Sequence, residues 1–228
     1  MEKRLERLKS LLGEEKIMNL NAKTVLVCGL GGVGGTCLES LARSGIGHFL
    51  IVDYDRVEAT NLNRQILFLE HDLGELKVEV ARKRLLSISP SIKVMIYSQT
   101  VDEKLLDNLS KVDIDFVIDA IDSPLAKTNL IHFCIARKVP FISSLGMANR
   151  LNPSLVKISN LEATDTDPLA KKMRNLLRKK NIRLSDVPVV YSLEKPLIKG
   201  PRLASGMNVP SAAGLMMSYF CLESLLKQ

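Results

Sequence analysis

An α/β fold, Rossmann-like and doubly wound around a mostly parallel sheet with helices on both faces, is predicted by three observations. Short Val/Ile/Leu runs alternate with helical segments of ten or more residues, and near-continuous apolar strands belong to parallel sheets covered on both faces. A glycine string, GLGGVGG at positions 29–35, separates the first strand from the first long helix. The chain is 46% hydrophobic and 25% charged over 228 residues, enough to fill one soluble core.

The elements follow in order. The N-terminal MEKRLERLKSLLGEEK is amphipathic and carries both charge signs, without the apolar core of a signal peptide. Residues 1–22 are therefore expected to form a helical arm on a cytoplasmic protein. TVLVCG reads as β, VGGTCLESLARSG as helix, HFLIVDYD as β, and LKVEVARKRLLSISP as a helix ended by Pro90. KVMIYS and IDFVIDAID are β runs on either side of a short helix from Glu103 to Leu109, followed by a helical PLAKTNLIHFCIARK and a β run VPFISS. After Gly146 the alternation weakens. Residues 151–205 are expected to form a substrate-side insertion of extra strands, a basic helix and a loop. The C-terminal extension VPSAAGLMMSYFCLESLLKQ is interrupted by Ser218, Glu223 and Ser224 before it reaches the roughly 20 apolar residues of a span. It predicts a docked helix rather than a membrane insertion, and residues 1–228 are expected to form a single domain.

Gly29, Gly31 and Gly34 satisfy G-x-G-x-x-G between a strand and a helix. The first allows a tight turn, the second lets backbone N–H groups approach a phosphate, and the third lets helix and sheet pack closely. Asp53 follows at the tip of the next strand, placed to accept hydrogen bonds from a ribose, with Asp55 counted in the same site. Both NAD and ATP fit this much, and a bare structural turn uses the same glycines.

More polar machinery stands close behind. DYDRVEATNLNRQ places Asn61, Arg64 and Gln65 just beyond the second strand; Lys77 opens the next helix, and Asp122 ends the strand run in DAIDS. An arginine, a lysine and a carboxylate are what nucleotidyl transfer requires. The cations stabilise charge on the phosphates, and the carboxylate holds a Mg²⁺ that bridges phosphate oxygens. Singly, Arg64 and Lys77 read as solvated residues and Asp122 as a helix cap; their joint placement at successive strand ends argues for one site. An NAD oxidoreductase would need a proton donor, and His48, His71 and His132 lie in or beside ordinary elements.

The run GLGGVGG…DYDRVEATNLNRQ…GELKVE…DAIDS resembles the ATP-dependent, ubiquitin-activating-like adenylating superfamily. That resemblance implies that Gly32 and its neighbours line the ATP phosphates and that Asp53 takes the ribose. Asn61, Arg64 and Lys77 would contact phosphates, and Asp122 would carry the magnesium. It also implies a homodimer in which an N-terminal arginine, Arg7 or Arg4 of RLER, enters the partner's site. A solvated helix face accounts equally well for those two arginines.

Cys28, Cys37, Cys134 and Cys221 form no CxxC pair, and none lies between Met147 and Ser205. The zinc spacing of sulfur-carrier adenylyltransferases is absent, as is a thiol past the core for thioester transfer. The pieces DAIDSPLAKTNLIHFC, SSLGMANRLNPSLVKISNL, DTDPLAKKMRNLLRKK and VVYSLEKP resemble the tRNA threonylcarbamoyladenosine dehydratases within this superfamily. The implied reaction adenylates the threonyl carboxylate with ATP, and the neighbouring carbamoyl group then closes a ring, which needs no enzyme nucleophile. The alternative is an adenylyltransferase acting on the C-terminus of a small sulfur-carrier protein. A nucleotide-binding scaffold docked on a cysteine desulfurase, or a sulfur-acceptor partner for the enzyme, is also open at this level.

The net charge is +7 with a pI near 9.2, which leans towards an anionic partner such as nucleic acid. Lys171, Lys172, Arg174, Arg178, Lys179, Lys180 and Arg183 stand together without an acidic residue, while Leu169, Met173, Leu176 and Leu177 give the segment an apolar face. A solvated face, a patch that tracks tRNA phosphates and a seat for an acidic carrier protein all fit this charge.

Overall fold

The computed structural model describes residues 3–165, 167–198 and 203–227; positions 166 and 199–202 of the expected insertion lie outside them. Seven strands form one sheet in the order β3-β2-β1-β4-β5-β7-β6. They are β1 (Thr24–Cys28), β2 (His48–Val52), β3 (Lys93–Tyr97), β4 (Phe116–Asp119), β5 (Phe141–Ser144), β6 (Val156–Asn160) and β7 (Pro188–Ser192). All neighbours pair in parallel except β6, which runs antiparallel to β7 at the edge.

The strand period of two distributes the apolar runs to both faces. Val25, Val27, Phe49, Ile51, Phe116 and Ile118 enter one core, whereas Leu26, Cys28, Leu50, Val52 and Val117 enter the other. This is why the strands read as unbroken hydrophobic runs. The first face is covered by α3 (Gly32–Arg43), α4 (Lys77–Ile88) and α8 (Asn208–Leu225), and the second by α5 (Glu103–Leu109), α6 (Pro124–Arg137) and α7 (Pro168–Lys179). The arm comprises α1 (Glu6–Leu12) and α2 (Glu14–Ala22), the latter anchored by buried Ile17 and Leu20.

The C-terminal run docks as expected. Val209, Ala213, Met217, Cys221 and Leu225 recur every four residues and are buried, one apolar stripe of a helix. Gly214 lies so close to α3 that a Cβ there would meet the Val33 carbonyl oxygen at 2.4 Å. Among the described residues no helix is long and apolar enough to cross a membrane. The stretch after Gly146 supplies β6, α7 and β7, with β7 inserted between β5 and β6. All four cysteines are free and buried.

Candidate active site

A cleft of about 500 Å³ opens at the C-terminal ends of β1, β2 and β4, where the strand order reverses and open α/β sheets bind ligands. Gly29, Gly31, Gly32, Asp53, Asp55, Asn61, Arg64, Gln65, Lys77 and Asp122 all line it. Ten residues spread from position 29 to 122 thus converge on one space.

The glycine loop divides its labour. Gly29 has φ +89°, and a Cβ would lie 2.6 Å from the Ala120 oxygen, so the turn tolerates no side chain. Gly34 does not line the cleft; its missing Cβ lets the Gly29 oxygen come within 1.8 Å of that position, the close helix–strand packing expected of it. A Cβ on Gly31 would meet no protein atom within 4 Å. Protein packing therefore leaves Gly31 unexplained, and the space beside it opens on the cleft at the start of α3, where helix N–H groups favour an anion.

Asp53 is buried, and its carboxylate ties the loop to the end of β2. Oδ2 accepts from the Leu30 N–H at 2.7 Å and Oδ1 from the Asp55 N–H at 2.9 Å. Burial raises its pKa above the ordinary 3.8, against the lowering effect of these amides and of Lys77. Lys77, only 6% exposed at its side chain, reaches from the start of α4 to Asp55 Oδ2 at 2.8 Å. Arg64 is steadied by the Thr60 oxygen and Asn63 Oδ1 at 2.6 and 3.0 Å. Asn61 Oδ1 accepts from the Glu58 N–H within its own turn. Gln65 is buried, and its Oε1 has no hydrogen-bond partner among the described residues, an orphan that a bound ligand would satisfy.

Asp122 is exposed at the cleft mouth, and its carboxylate makes no hydrogen bond or ion pair with any described residue. The helix cap it could have supplied is Ser123, whose Oγ accepts from the Ala126 N–H. The charges of Asp55 and Asp122 push the neighbouring Tyr54 phenol above its usual 10.0. No cluster of three metal-ligating side chains occurs among the described residues. Mg²⁺ does not need one, because it takes one or two carboxylates and completes its shell with phosphates and water.

The arginine expected from the arm does not enter this cleft. Arg7 is exposed on α1, and Arg4 donates to the Ala42 oxygen at the end of α3. Neither lines the chain's own site.

Several participants escaped the sequence reading. Asp119, at the end of β4, is fully buried against Lys127 Nζ at 3.0 Å and accepts from Ser143 Oγ at 2.7 Å. Lys127 also donates to the Ile121 oxygen at 3.0 Å, so this pair shapes the loop that carries Asp122. Tyr54 and the Gln99–Val101 segment after β3 complete the wall. The one available signal was a lysine on the inner side of an otherwise apolar helical run.

A second cavity of about 910 Å³ adjoins the first, and the two share Ala120, Ile121 and Asp122. Its walls are Leu145, Met147, Ala148, Pro168, Leu169 and Pro196, with Lys172 and Lys195 exposed at the rim. Arg150, 4% exposed, braces it from behind by donating to the Gly146, Ala148 and Glu194 oxygens and pairing with Asp167 at 3.4 Å. Neither cavity is lined by a cysteine among the described residues. Burial raises the pKa of all four thiols.

The ThiF family model matches residues 3–170. The chain belongs to the ThiF family. Among individual ThiF-family relatives, the tRNA threonylcarbamoyladenosine dehydratase of Bacillus subtilis is 36% identical over 234 residues, covering 95% of this chain and 92% of that protein. The Escherichia coli enzyme of the same name is 36% identical over 168 residues, 74% of this chain and 63% of that one. The crystal structure of the E. coli dehydratase TcdA in complex with ATP superposes with a TM-score of 0.93 at 30% identity, over 99% of this chain and 94% of that one.

Proposed function

We infer that this ThiF-family chain is an ATP-dependent tRNA threonylcarbamoyladenosine dehydratase. The observation that carries the reading is the meeting of two cavities at Ala120–Asp122, with no thiol in either. One is furnished for a nucleotide triphosphate, and the other has carbon walls and a cationic rim. A carboxylate bound in the second reaches the α-phosphate of ATP bound in the first at that junction. It attacks phosphorus, pyrophosphate leaves, and an acyl-adenylate forms. The carbamoyl group of the same substrate then closes on the activated carbonyl and AMP departs. Ring closure within one molecule has the high effective concentration that makes an enzyme nucleophile unnecessary. The relatives named dehydratases, one of them seen with ATP, support this reading over a sulfur-carrier adenylyltransferase.

The proposed roles follow from position. Asp53 orients the ribose while holding the loop, and Gly31 with the start of α3 cradles phosphate. Asn61, Arg64, Gln65 and Lys77 contact the triphosphate, the two cations balancing charge that builds as pyrophosphate leaves. Asp122 would hold a Mg²⁺, which supplies charge neutralisation of the phosphates when bound. The described residues between 151 and 205 form the substrate side of a single adenylating domain. The enzyme acts in the cytoplasm as a homodimer, with Arg7 rather than the engaged Arg4 serving the partner's site. A sulfur-handling partner is not required by this chemistry.

The test is pyrophosphate release with tRNA bearing threonylcarbamoyladenosine, compared with a Gly-Gly-ended carrier protein. Release should depend on the modified tRNA and yield the cyclic nucleoside by mass spectrometry. Release with the carrier protein alone would transfer the chain to the other substrate class.

A further inference from the structure

α7 carries a run of positive charge that no described residue answers. Lys171, Lys172, Arg178 and Lys179 are exposed and make no ion pair with any described residue. With Asn175 they fall at the i, i+3, i+4, i+7 spacings that place residues on one helix face. The opposite face holds Ala170, Met173 and Leu177, all buried. Arg174, counted with the basic group in the sequence, turns inward and donates to the Thr164 oxygen and Oγ1 at 2.8 and 2.6 Å. Arg183 faces Asp186 at 3.9 Å. What remains is a narrow stripe of four cations along the helix, with a fifth, exposed Lys180, at its C-cap off that line.

The stripe begins at the second cavity. Pro168, Leu169 and Lys172 are part of that cavity's wall, and the helix extends away from it for 12 residues, about 18 Å. Its attachment is rigid. Asp167 caps the helix by accepting from the Ala170 N–H at 2.9 Å. The same carboxylate accepts from the Gly146 N–H at 3.0 Å and pairs with buried Arg150. An anion held by α7 is therefore held at a set distance from the space between the cavities.

We propose that the exposed stripe of α7 is the docking rail for the sugar-phosphate backbone of tRNA, which delivers the modified nucleoside into the second cavity. The proposal rests on the dehydratase reading and adds the surface that captures the polymer. Charge complementarity assigns the occupant: a row of unpaired lysines and arginine along one helix edge matches a row of phosphates.

The experiment compares the full-length protein with a Lys171→Gln/Arg178→Gln/Lys179→Gln variant, which spares Lys172 in the cavity wall. Binding of modified tRNA is titrated against salt, and cyclisation is followed at several tRNA concentrations. The variant should bind tRNA about tenfold or more weakly, and its log–log salt slope should shrink by about 2 to 3, one unit for each lost phosphate contact. Its KM for tRNA should rise while kcat, thermal midpoint and ATP affinity stay. A Lys171→Arg/Arg178→Lys/Lys179→Arg variant keeps the charge and should keep the affinity. Unchanged tRNA affinity and slope in the Gln variant would overturn the rail while leaving the dehydratase reading intact. Failure of the unmodified protein to cyclise modified tRNA would instead overturn that reading and the rail with it. Loss of affinity for an acidic Gly-Gly carrier protein, with tRNA binding unmoved, would overturn both in favour of the carrier.

Discussion

The two cavities meet at Asp122 but are built from opposite materials. The nucleotide cleft is made of backbone amides and charges held against one another: Asp53 by two N–H groups, Lys77 by Asp55, Arg64 by the Thr60 oxygen. The second cavity is walled mostly with carbon, its buried Arg150 is tied up by backbone oxygens and Asp167, and its two lysines stand at the rim. The first arrangement is pre-set for charge that develops during reaction, because its groups need little reorganisation. The second excludes water from an uncharged part of a substrate and leaves orientation to a few polar contacts. The division predicts that changes in one cavity alter chemistry and changes in the other alter acceptance.

The largest effect is expected at Arg64. Arg64→Ala removes a fixed cation from the triphosphate and should lower kcat for pyrophosphate release by about 10²–10³-fold, with the thermal midpoint and tRNA affinity preserved. A stopped-flow pyrophosphate assay checks this; full turnover would remove Arg64 from the chemistry. Ala148→Trp puts an indole into the second cavity. It should lower kcat/KM for modified tRNA by about 100-fold through misplacement of the carboxylate, while ATP affinity, measured by calorimetry, stays. Equal losses of ATP and tRNA binding would show that the cavities are not separable.

The same contrast explains what the sequence could reveal. The nucleotide cleft draws on turns that directly follow strands β1, β2 and β4, so its residues appear as short motifs: GLGGVGG, NLNRQ, Lys77 and DAIDS. The second cavity draws on Val33, Ala148, Leu169, Pro196 and Leu203, apolar residues far apart with no local pattern. Its existence required β7 to insert between β5 and β6, a topology that periodicity does not specify. Lys127 was hidden for a related reason. A lysine in a helix reads as solvated, and only the fold places it against Asp119 with 0% of its side chain exposed. The inward turn of Arg174 is likewise invisible in a run of basic residues.

A smaller effect tests the polar logic of the cleft. Burial lifts the pKa of Asp53, so its carboxylate takes up a proton at a higher pH than an ordinary aspartate. ATP affinity should therefore fall on acidification through that raised pKa, as the loop amides and ribose lose an anionic acceptor. For stability the sign is opposite. The folded state binds this proton more readily than the unfolded chain, so the favourable contribution is present at low pH and lost as pH rises through the folded pKa. Asp53→Asn should weaken ATP binding by about tenfold at neutral pH, about 1.4 kcal/mol. It should also flatten the acid limb of an ATP-affinity profile, whereas an unchanged limb would assign it to another group.

The smallest effect on activity, and a distinct one on stability, is expected about two turns along α3 from cleft-lining Gly32. Glu39 there accepts from Arg43 at 2.6 and 2.9 Å and from Arg84 at 2.8 and 2.9 Å, joining α3 to α4. Burial alone would raise its pKa, but the hydrogen bonds and charges of Arg84 and Arg43 outweigh it and hold the carboxyl below the ordinary 4.5. A depressed folded pKa gives stability that is present above the unfolded value and lost as pH falls through the folded one. Glu39→Gln keeps the shape and removes the charge. It should cost about 1–2 kcal/mol at neutral pH, since the pairs are charge-assisted but both arginines are partly solvated. The difference from the parent protein should vanish in acid denaturation profiles once Glu39 is protonated. Because α3 presents its N-terminus to the cleft and Glu39 to α4, kcat should not change. A fall in kcat with unaltered stability would mean that the α3–α4 clamp sets the geometry of the cleft, and the separation of scaffold from chemistry would fail at that helix.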